Sequence, residues 1–440
     1  MAPIEAANIM EPCLDKTRHI KYWTRCIKTF LPHQYTSNDS NRMYLAFLML
    51  SALDLLGVLT TTCSTEERRD YANWIYRCQH PRGGFRMWPG TDLGERANES
   101  NAKWDPANVP ATYFALASLL ILGDDFGRVR RKDTLRWLRR MQREDGSFGE
   151  THVDGQLAGG RDPRFGYCAT GVRWMLRGSR KEGRLMVDGD QVEDINVDAL
   201  VECIRNAESY DGGIADQSLH EPHAGYTFCS LGALRFMNRL PTSSTKPTDT
   251  RRAPSNPQEV IRWLAHRQTD LLDPDATQDS EFIGAHRIKN SQPVPPSQSA
   301  TEPPPLTLHQ SPDKSIITPF DLHTDGAAGM NGRPNKTADT CYAWWVGASL
   351  HILGQPALYN QQAMSRYLLD KTQHPVLGGF GKFPGDLPDL YHSCLGLAAL
   401  ALAGGGGDVK EVDAGMCVSK EASVRLEALW KRWDDEEISR

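Results

Sequence analysis

The sequence has few of the features that mark exported, membrane or nucleic-acid-binding proteins. None of its ten cysteines forms a Cys-x-x-Cys pair, which removes the commonest zinc-ribbon and thioredoxin-type readings. Cys13, Cys26, Cys63, Cys78, Cys168, Cys203, Cys229, Cys341, Cys394 and Cys417 are scattered, the pattern of free, mostly buried thiols in a reducing compartment. No apolar run reaches the ~18 residues of a membrane span. Met1 to Lys16 mixes Glu, Asp and Lys without an apolar h-region, so no secretory signal is expected. Glu437-Ile438-Ser439-Arg440 does not read as a lipidation signal. Excess charge is missing too. Lys+Arg number 50 and Asp+Glu 55, a net charge of −5, which argues against a nucleic-acid binder driven by bulk charge. These absences lead us to expect a cytoplasmic protein with no transmembrane segment and no nucleic-acid partner.

What is present is a repeat. Apolar residues make up 40% of the 440 positions, enough for a sizeable core. Glycine turns recur after helix-like segments. Trp74 to Gln79 precedes Gly83-Gly84-Phe85, Trp137 to Gln142 precedes Asp145-Gly146-Ser147-Phe148, and Cys203 to Ala207 precedes Asp211-Gly212-Gly213-Ile214. Tyr367 to Gln373 precedes Gly378-Gly379-Phe380, and a weaker copy joins Trp263 to Gln268 with Gly329 to Gly332. Each turn is followed by an apolar helix rich in small residues: Ala111 to Leu122, Tyr167 to Leu176, Tyr226 to Met237, Cys341 to Leu353 and His392 to Leu402. An opening helix, Leu45 to Leu56, has no turn before it. A helix apolar on every side belongs in an interior. Six such helices alternating with amphipathic ones predict an all-α protein, an α/α barrel of six inner and about six outer helices. An open solenoid would need end repeats with one polar face, and none is evident.

We expect residues 1–440 to form a single domain. Two features interrupt the repeat. A Pro/Ser-rich insertion at about 269–325, with Pro303-Pro304-Pro305 inside it, cannot bury enough to offset its ordering entropy, and disorder is expected there. A charged helix is expected at about 419–437.

Three groups of residues carry possible chemistry. Asp339, Cys341 and His392 are all good zinc-ligand types, and three protein ligands leave a position open, as in a catalytic site. Positions i and i+2 point apart on a helix, so Asp339 is expected in the turn with Cys341 just inside the helix. The alternative is a capping aspartate, a buried thiol and a hydrogen-bonded histidine, and the spacing alone favours it. His223, Arg333, Lys336 and Tyr342 lie at or before the starts of predicted inner helices, where free N–H groups favour anions. Arg164 and Lys382 point to the same rim. Ordinary solvated charges are the plainer alternative there, and again the favoured one from the pattern alone. Trp344, Trp345, Trp174, Tyr113, Phe114, Phe228 and Tyr226 lie on predicted inner helices and either line a lumen or fill a core.

These motifs resemble a known family. Gly332-Arg333-Pro334-Asn335-Lys336 with Asp339-Thr340-Cys341-Tyr342, Glu221-Pro222-His223-Ala224-Gly225-Tyr226-Thr227-Phe228-Cys229, and Gly378-Gly379-Phe380 running to Tyr391-His392 are similar to the β subunits of the protein prenyltransferases, above all those of the type I geranylgeranyl class. The resemblance runs from Arg18 to about Leu402. It implies an α/α barrel with Zn2+ held by Asp339, Cys341 and His392, and diphosphate contacts at His223, Arg333, Lys336 and Tyr342. Arg164 would stand near the end of a bound peptide, and Phe165 and Trp345 would line the peptide and isoprenoid pockets. It implies transfer of geranylgeranyl from geranylgeranyl diphosphate to the cysteine of a C-terminal CaaX motif, X mostly Leu. A separate α subunit and CaaX-ending small GTPases of the Rho type are the implied partners.

The rival within the family is a farnesyltransferase β subunit or an enzyme of dual specificity. Lys382 stands where farnesyltransferases carry a magnesium-binding Asp, so Mg2+ is not expected to be required. Tyr44 replaces a small threonine of geranylgeranyl enzymes, and Tyr391 resembles the farnesyl pattern. Both residues are expected to crowd the far end of the isoprenoid. Triterpene cyclases share the helical repeats but need an Asp-x-Asp-Asp-type motif, which is missing. A non-catalytic helical scaffold is the alternative from another class.

Overall fold

The computed structural model describes residues 13–438 apart from 30, 32–34, 36–37, 39, 179–181, 243, 247, 273–325 and 405–407. Outer and inner helices alternate along it. The pairs are α1 (Lys16–Lys28) with α2 (Arg42–Leu55), α3 (Thr65–Arg77) with α4 (Val109–Leu122), and α5 (Arg131–Arg140) with α6 (Pro163–Arg177). They continue with α7 (Val197–Asn206) and α8 (Ala224–Phe236), α9 (Pro257–Ala265) and α10 (Thr340–Ile352), then α11 (Gln361–Arg366) and α12 (Leu390–Leu402). A last helix, α13, spans Arg425–Ile438. Each even-numbered helix packs on the next, and α12 packs back on α2. The ring is closed, as the repeat predicts, and α1 supplies the sixth outer helix.

Local sequence explains the starts of these helices. Asp15, Ser64, Asn108, Asp162, Asn196, Asn256 and Asn360 each accept a hydrogen bond from a backbone N–H of the first turn, the bond that short polar side chains are suited to make. Ser64 and Glu67 complete a reciprocal capping box. The inner helices are mostly apolar and bury most of their residues, with the buried Arg173 and Arg177 of α6 paired to Asp194.

The repeat turns join neighbouring units. The Gln79 side chain accepts from Arg130 N at 2.8 Å and donates to Arg128 O at 3.0 Å. Gln142 pairs in the same way with the Asn196 backbone at 2.7 and 2.9 Å, and Gln268 with Asn360 at 2.8 Å both ways. Gln373 repeats the contact across the seam, accepting from Asp15 N at 3.0 Å and donating to Cys13 O at 3.3 Å. The glutamine ending each of these outer segments thus holds the start of the next outer helix. Gln268–Thr269 also pairs with Gly329–Met330, so the interrupted turn is rebuilt from both sides of the insertion. Ordered structure therefore continues to residue 272, past the predicted start of the insertion at 269. The disorder expected for the rest falls on 273–325, outside the described residues.

Two features were not anticipated. Short antiparallel hairpins decorate the helices at 151–158 and 185–192. A third, pairing Val412–Asp413 with Val418–Ser419, precedes the terminal helix. That helix is broken into Lys420–Ser423 and Arg425–Ile438, which corrects the single stretch expected at 419–437. The C-terminal segment closes one end of the barrel. Arg425 donates to Leu120 O and Ile121 O at 2.8 and 3.1 Å, and Trp430 Nε1 to Met175 O at 3.1 Å. These carbonyls lie in the last turns of inner helices. No helix among the described residues is long and apolar enough to cross a membrane.

The seam is tight at Gly378. Its φ is +72° and a Cβ there would stand 2.5 Å from the Arg18 backbone, whereas Gly354, with φ +70°, faces open space. Gly378→Ala is expected to cost roughly 1–3 kcal/mol more than Gly354→Ala, the excess being overpacking. Urea midpoints of the purified protein check this. Equal losses at the two sites would mean the seam has slack.

Candidate active site

Caps at the open rim of the barrel double as functional groups. Asp339 caps α10, and its carboxylate accepts from Cys341 N at 2.8 Å. Asp389 caps α12 and accepts from His392 N at 2.8 Å. Because α10 and α12 are ring neighbours, their first turns meet. Asp339, Cys341 and His392 each offer one ligand atom, and those atoms lie within 4.8 Å of one another. All three residues are buried.

The arrangement fits a divalent metal. Ligand bonds of ~2.0–2.3 Å to a tetrahedral zinc separate donor atoms by roughly 3–4 Å, and His392 Nε2 stands 3.4 Å from Asp339 Oδ1. The other ring nitrogen, Nδ1, lies 2.6 Å from Asp389 Oδ2. A carboxylate on the far nitrogen of a ligand histidine sets its tautomer and orientation. Asp389 is a site residue that the sequence reading missed. Its signal was an aspartate three positions before His392, the spacing of a cap to its third helical residue.

Protonation follows from burial and charge. Burial disfavours charge on His392, but Asp339 and Asp389 outweigh it and raise its pKa to about 9. Burial, then the Asp339 charge, pushes the Cys341 thiol well up, while a hydrogen bond from Tyr391 and the charge of Lys382 pull the other way. Burial works to raise the Asp339 pKa, yet His392 and the Cys341 contacts hold it below the usual value. Burial and these charges therefore favour a neutral thiol beside an ion pair.

The anion candidates form a second cluster. His223 caps α8 and its Nδ1 accepts from Gly225 N at 3.0 Å. Burial, then Arg333, lowers the His223 pKa, so the ring is neutral and its proton sits on Nε2. That N–H donates to the Tyr342 hydroxyl oxygen at 2.9 Å, and the Tyr342 O–H is then available to a further acceptor. Gly332 is glycine because a Cβ there would lie 2.2 Å from the Tyr342 ring. Arg333 lies near enough to act on both His223 and Tyr342, and pairs with Glu221 at 2.9 Å. Lys336 is exposed on the same loop, whose Lys336 carbonyl accepts from Asn331 at 3.0 Å. Lys382 is exposed, 4.7 Å from the Phe383 ring.

Between these clusters and the closed end lies a cavity of about 470 Å³. Tyr44, Arg164, Phe165, Trp345 and Tyr391 all line it, with Phe114 and Phe228 among the apolar walls. Arg164 is held by Asp162 at 2.7 Å and lies 5.9 Å from the Tyr226 ring. Tyr226 itself stands at the rim beside His223. Trp174 packs on Trp430 instead of lining the lumen. Tyr391 also departs from expectation. Its hydroxyl accepts from Trp345 Nε1 at 3.1 Å and donates to Cys341. It therefore stands at the metal end of the cavity, not at its far end, because its place beside His392 in the first turn of α12 keeps it at the rim. Tyr44, in the first turn of α2, lines the wall and lies near Cys394 and Cys417 but also near Cys341 and Asp389, so it too does not stand only at the far end.

Comparison with known proteins agrees with this fold. Residues 14–418 match the prenyltransferase alpha-alpha toroid domain. The geranylgeranyl transferase type-1 subunit beta of Arabidopsis thaliana is 27% identical over 398 residues, covering 88% of this chain and 84% of that protein. The subunit of the same name from Dictyostelium discoideum is 26% identical over 414 residues, covering 89% and 92%. In structure, the chain is similar to Candida albicans protein geranylgeranyltransferase-I complexed with GGPP, with a TM-score of 0.70 and 24% identity over 95% of this chain and 99% of that one; at that identity the likeness speaks for the fold. With the family matched across nearly its whole length, the chain belongs to the prenyltransferase alpha-alpha toroid family.

Proposed function

We propose that this chain is the catalytic β subunit of a protein geranylgeranyltransferase type I. The observation that carries the proposal is the buried Asp339–Cys341–His392 cluster at the same barrel rim as the His223–Tyr342 pair, above an aromatic cavity. The names of the relatives support geranylgeranyl as the group transferred, and the CaaX cysteine is what the sequence resemblance implies. The reaction joins the sulfur of a CaaX cysteine to the first carbon of geranylgeranyl diphosphate. The carbon–oxygen bond breaks and its electron pair leaves with the diphosphate.

A zinc ion at the cluster would hold the substrate cysteine as a thiolate at neutral pH. The chain's own residues do the remaining work. His223 orients Tyr342 so that its O–H donates to the leaving oxygens. Arg333, Lys336 and Lys382 add fixed positive charge where negative charge develops, the arrangement that favours a transition state over its ground state. The apolar walls bind the isoprenoid, and Arg164 is placed to meet the peptide end. An α subunit completes the enzyme, and CaaX-ending GTPases of the Rho type are its substrates. Ten free cysteines suit a reducing, cytoplasmic setting.

Three outcomes test this reading. Zinc analysis of the purified α–β complex should find one ion per β subunit, lost in Cys341→Ala; equal zinc in both would refute the site. Ion binding must displace the Cys341 proton and, below pH about 9, the His392 proton as well. Zinc affinity should therefore rise with pH, with about two protons released per ion at neutral pH. Chelator competition between pH 6 and 8 measures this, and a flat profile contradicts the assignment. For lipid choice, the complex should geranylgeranylate Leu-ending peptides without added magnesium, and Tyr44→Thr should raise kcat/KM for geranylgeranyl relative to farnesyl diphosphate by about tenfold. Magnesium-dependent, exclusive farnesyl transfer would overturn the first expectation, and an unchanged ratio the second.

A further inference from the structure

The cavity ends on the C-terminal hairpin. Met416 and Cys417, at its tip, line the cavity opposite the rim, and Met416 is only 1% exposed. The residues between the paired strands are locked from several sides. Tyr113 donates to Met416 O at 2.9 Å and Tyr167 to Gly415 O at 2.7 Å. Ser51 donates to Cys417 O at 2.9 Å. Asp413 accepts from Gly415 N and Met416 N at 2.8 and 3.0 Å and pairs bidentately with Arg235 at 2.7 and 2.9 Å. Gly415 leaves no slack, since a Cβ there would fall 1.8 Å from Arg235 Nη1. Cys417 is held at φ +58°, a left-handed conformation that a non-glycine residue keeps only when its surroundings impose it.

Those fastenings come from the wall itself. Tyr113, Tyr167 and Ser51 belong to inner helices α4, α6 and α2, and Arg235 to α8. Tyr113 and Tyr167 line the cavity as well as holding its end. The hairpin is thus a rigid floor under a lumen whose opposite rim carries the reacting groups. The Met416 thioether is the flexible, apolar part of that floor, the kind of side chain that fits closely around a hydrocarbon end.

We infer that Met416, presented by this hairpin, is the stop against which the distal end of the isoprenoid rests, and that the hairpin sets the longest lipid the enzyme accepts. The inference rests on the proposed function, since it assumes that an isoprenoid fills the cavity from the rim downward. A lipid whose diphosphate is fixed at His223 and Tyr342 has its other end fixed in depth. Its length must then match the distance to the floor. Tyr44 narrows the wall between the rim and the floor, and Met416 closes it.

The test uses the α–β complex and three diphosphates, of fifteen, twenty and twenty-five carbons, with one Leu-ending peptide. Met416→Trp should raise the floor and lower kcat/KM for the twenty-carbon lipid relative to the fifteen-carbon lipid by about tenfold or more. Met416→Ala should deepen the lumen and raise the twenty-five-carbon to twenty-carbon ratio by a similar factor. The peptide KM should stay within about twofold in both, because the rim is untouched. If Met416→Trp fails to fold, as judged by its melting temperature and zinc content, Met416→Ala still decides the matter. Unchanged lipid ratios in well-folded variants would overturn the floor assignment and leave the proposed function standing. A wild-type complex with zinc that transfers none of the three lipids would overturn the proposed function itself, and this inference with it.

Discussion

Closure of the inner ring is the constraint on which everything else depends. The candidate metal ligands come from α10 and α12, the oriented tyrosine from α10 and its histidine from α8. Their relative positions are set by helix packing around the whole circle. The seam lies between the last repeat and the first, where Gln373 reaches the Asp15 backbone and Gly378 meets Arg18. The same glutamine contact joins other repeats, so the seam is held as the ordinary joints are. A barrel closed in this way has no free edge, and its rim cannot splay without breaking several of these bonds together.

The rim also shows how folding and chemistry share residues. His223, Asp339 and Asp389 are helix caps, each satisfying a backbone N–H that would otherwise lack a partner. Capping fixes each side chain within the first turn, and so points the remaining polar atom at the cavity mouth. For His223 it fixes the tautomer as well, which decides that Tyr342 accepts from it and can still donate. Replacing such a residue removes a cap and a functional group together, so a loss of activity there has two causes that must be separated by measuring stability.

Lipid choice is distributed along the axis of the cavity. Lys382 acts at the rim, close enough to Cys341 to influence its thiol. Tyr391 belongs with it, since its hydroxyl contacts Cys341. Its farnesyl-like identity therefore carries no argument about lipid length. The hairpin tip remains at the far end, with Tyr44 on the wall between. The length question thus concerns the wall at Tyr44 and the closed end of the barrel, where the wall and the C-terminal segment are bonded to each other.

Much of this was legible in the residues. Apolar helices rich in small side chains, each following a glycine turn, implied burial on all sides and hence a ring. Asp339 before Cys341 implied a cap and a first-turn thiol, since i and i+2 cannot share a helix face. The motifs around Arg333 and His223 marked a candidate anion rim, and the structure brings His223 and Tyr342 together there. Other features had little signal along the chain. Asp389 showed only the local spacing of a cap three positions before His392, and the pairing of Glu221 with Arg333 depends on how distant segments pack. The hairpin at 412–419 is too short to carry a strand pattern, and its place under the lumen depends on Tyr113, Tyr167 and Arg235, all distant in sequence. The sequence by itself determined the repeat, the alternation of layers and the donor types. Only the tertiary structure decided which donors meet, at which depth Tyr44 and Tyr391 stand, and what closes the cavity. Periodicity reports which face of a helix is buried, whereas the rotation and offset of packed helices depend on contacts between residues far apart in the chain.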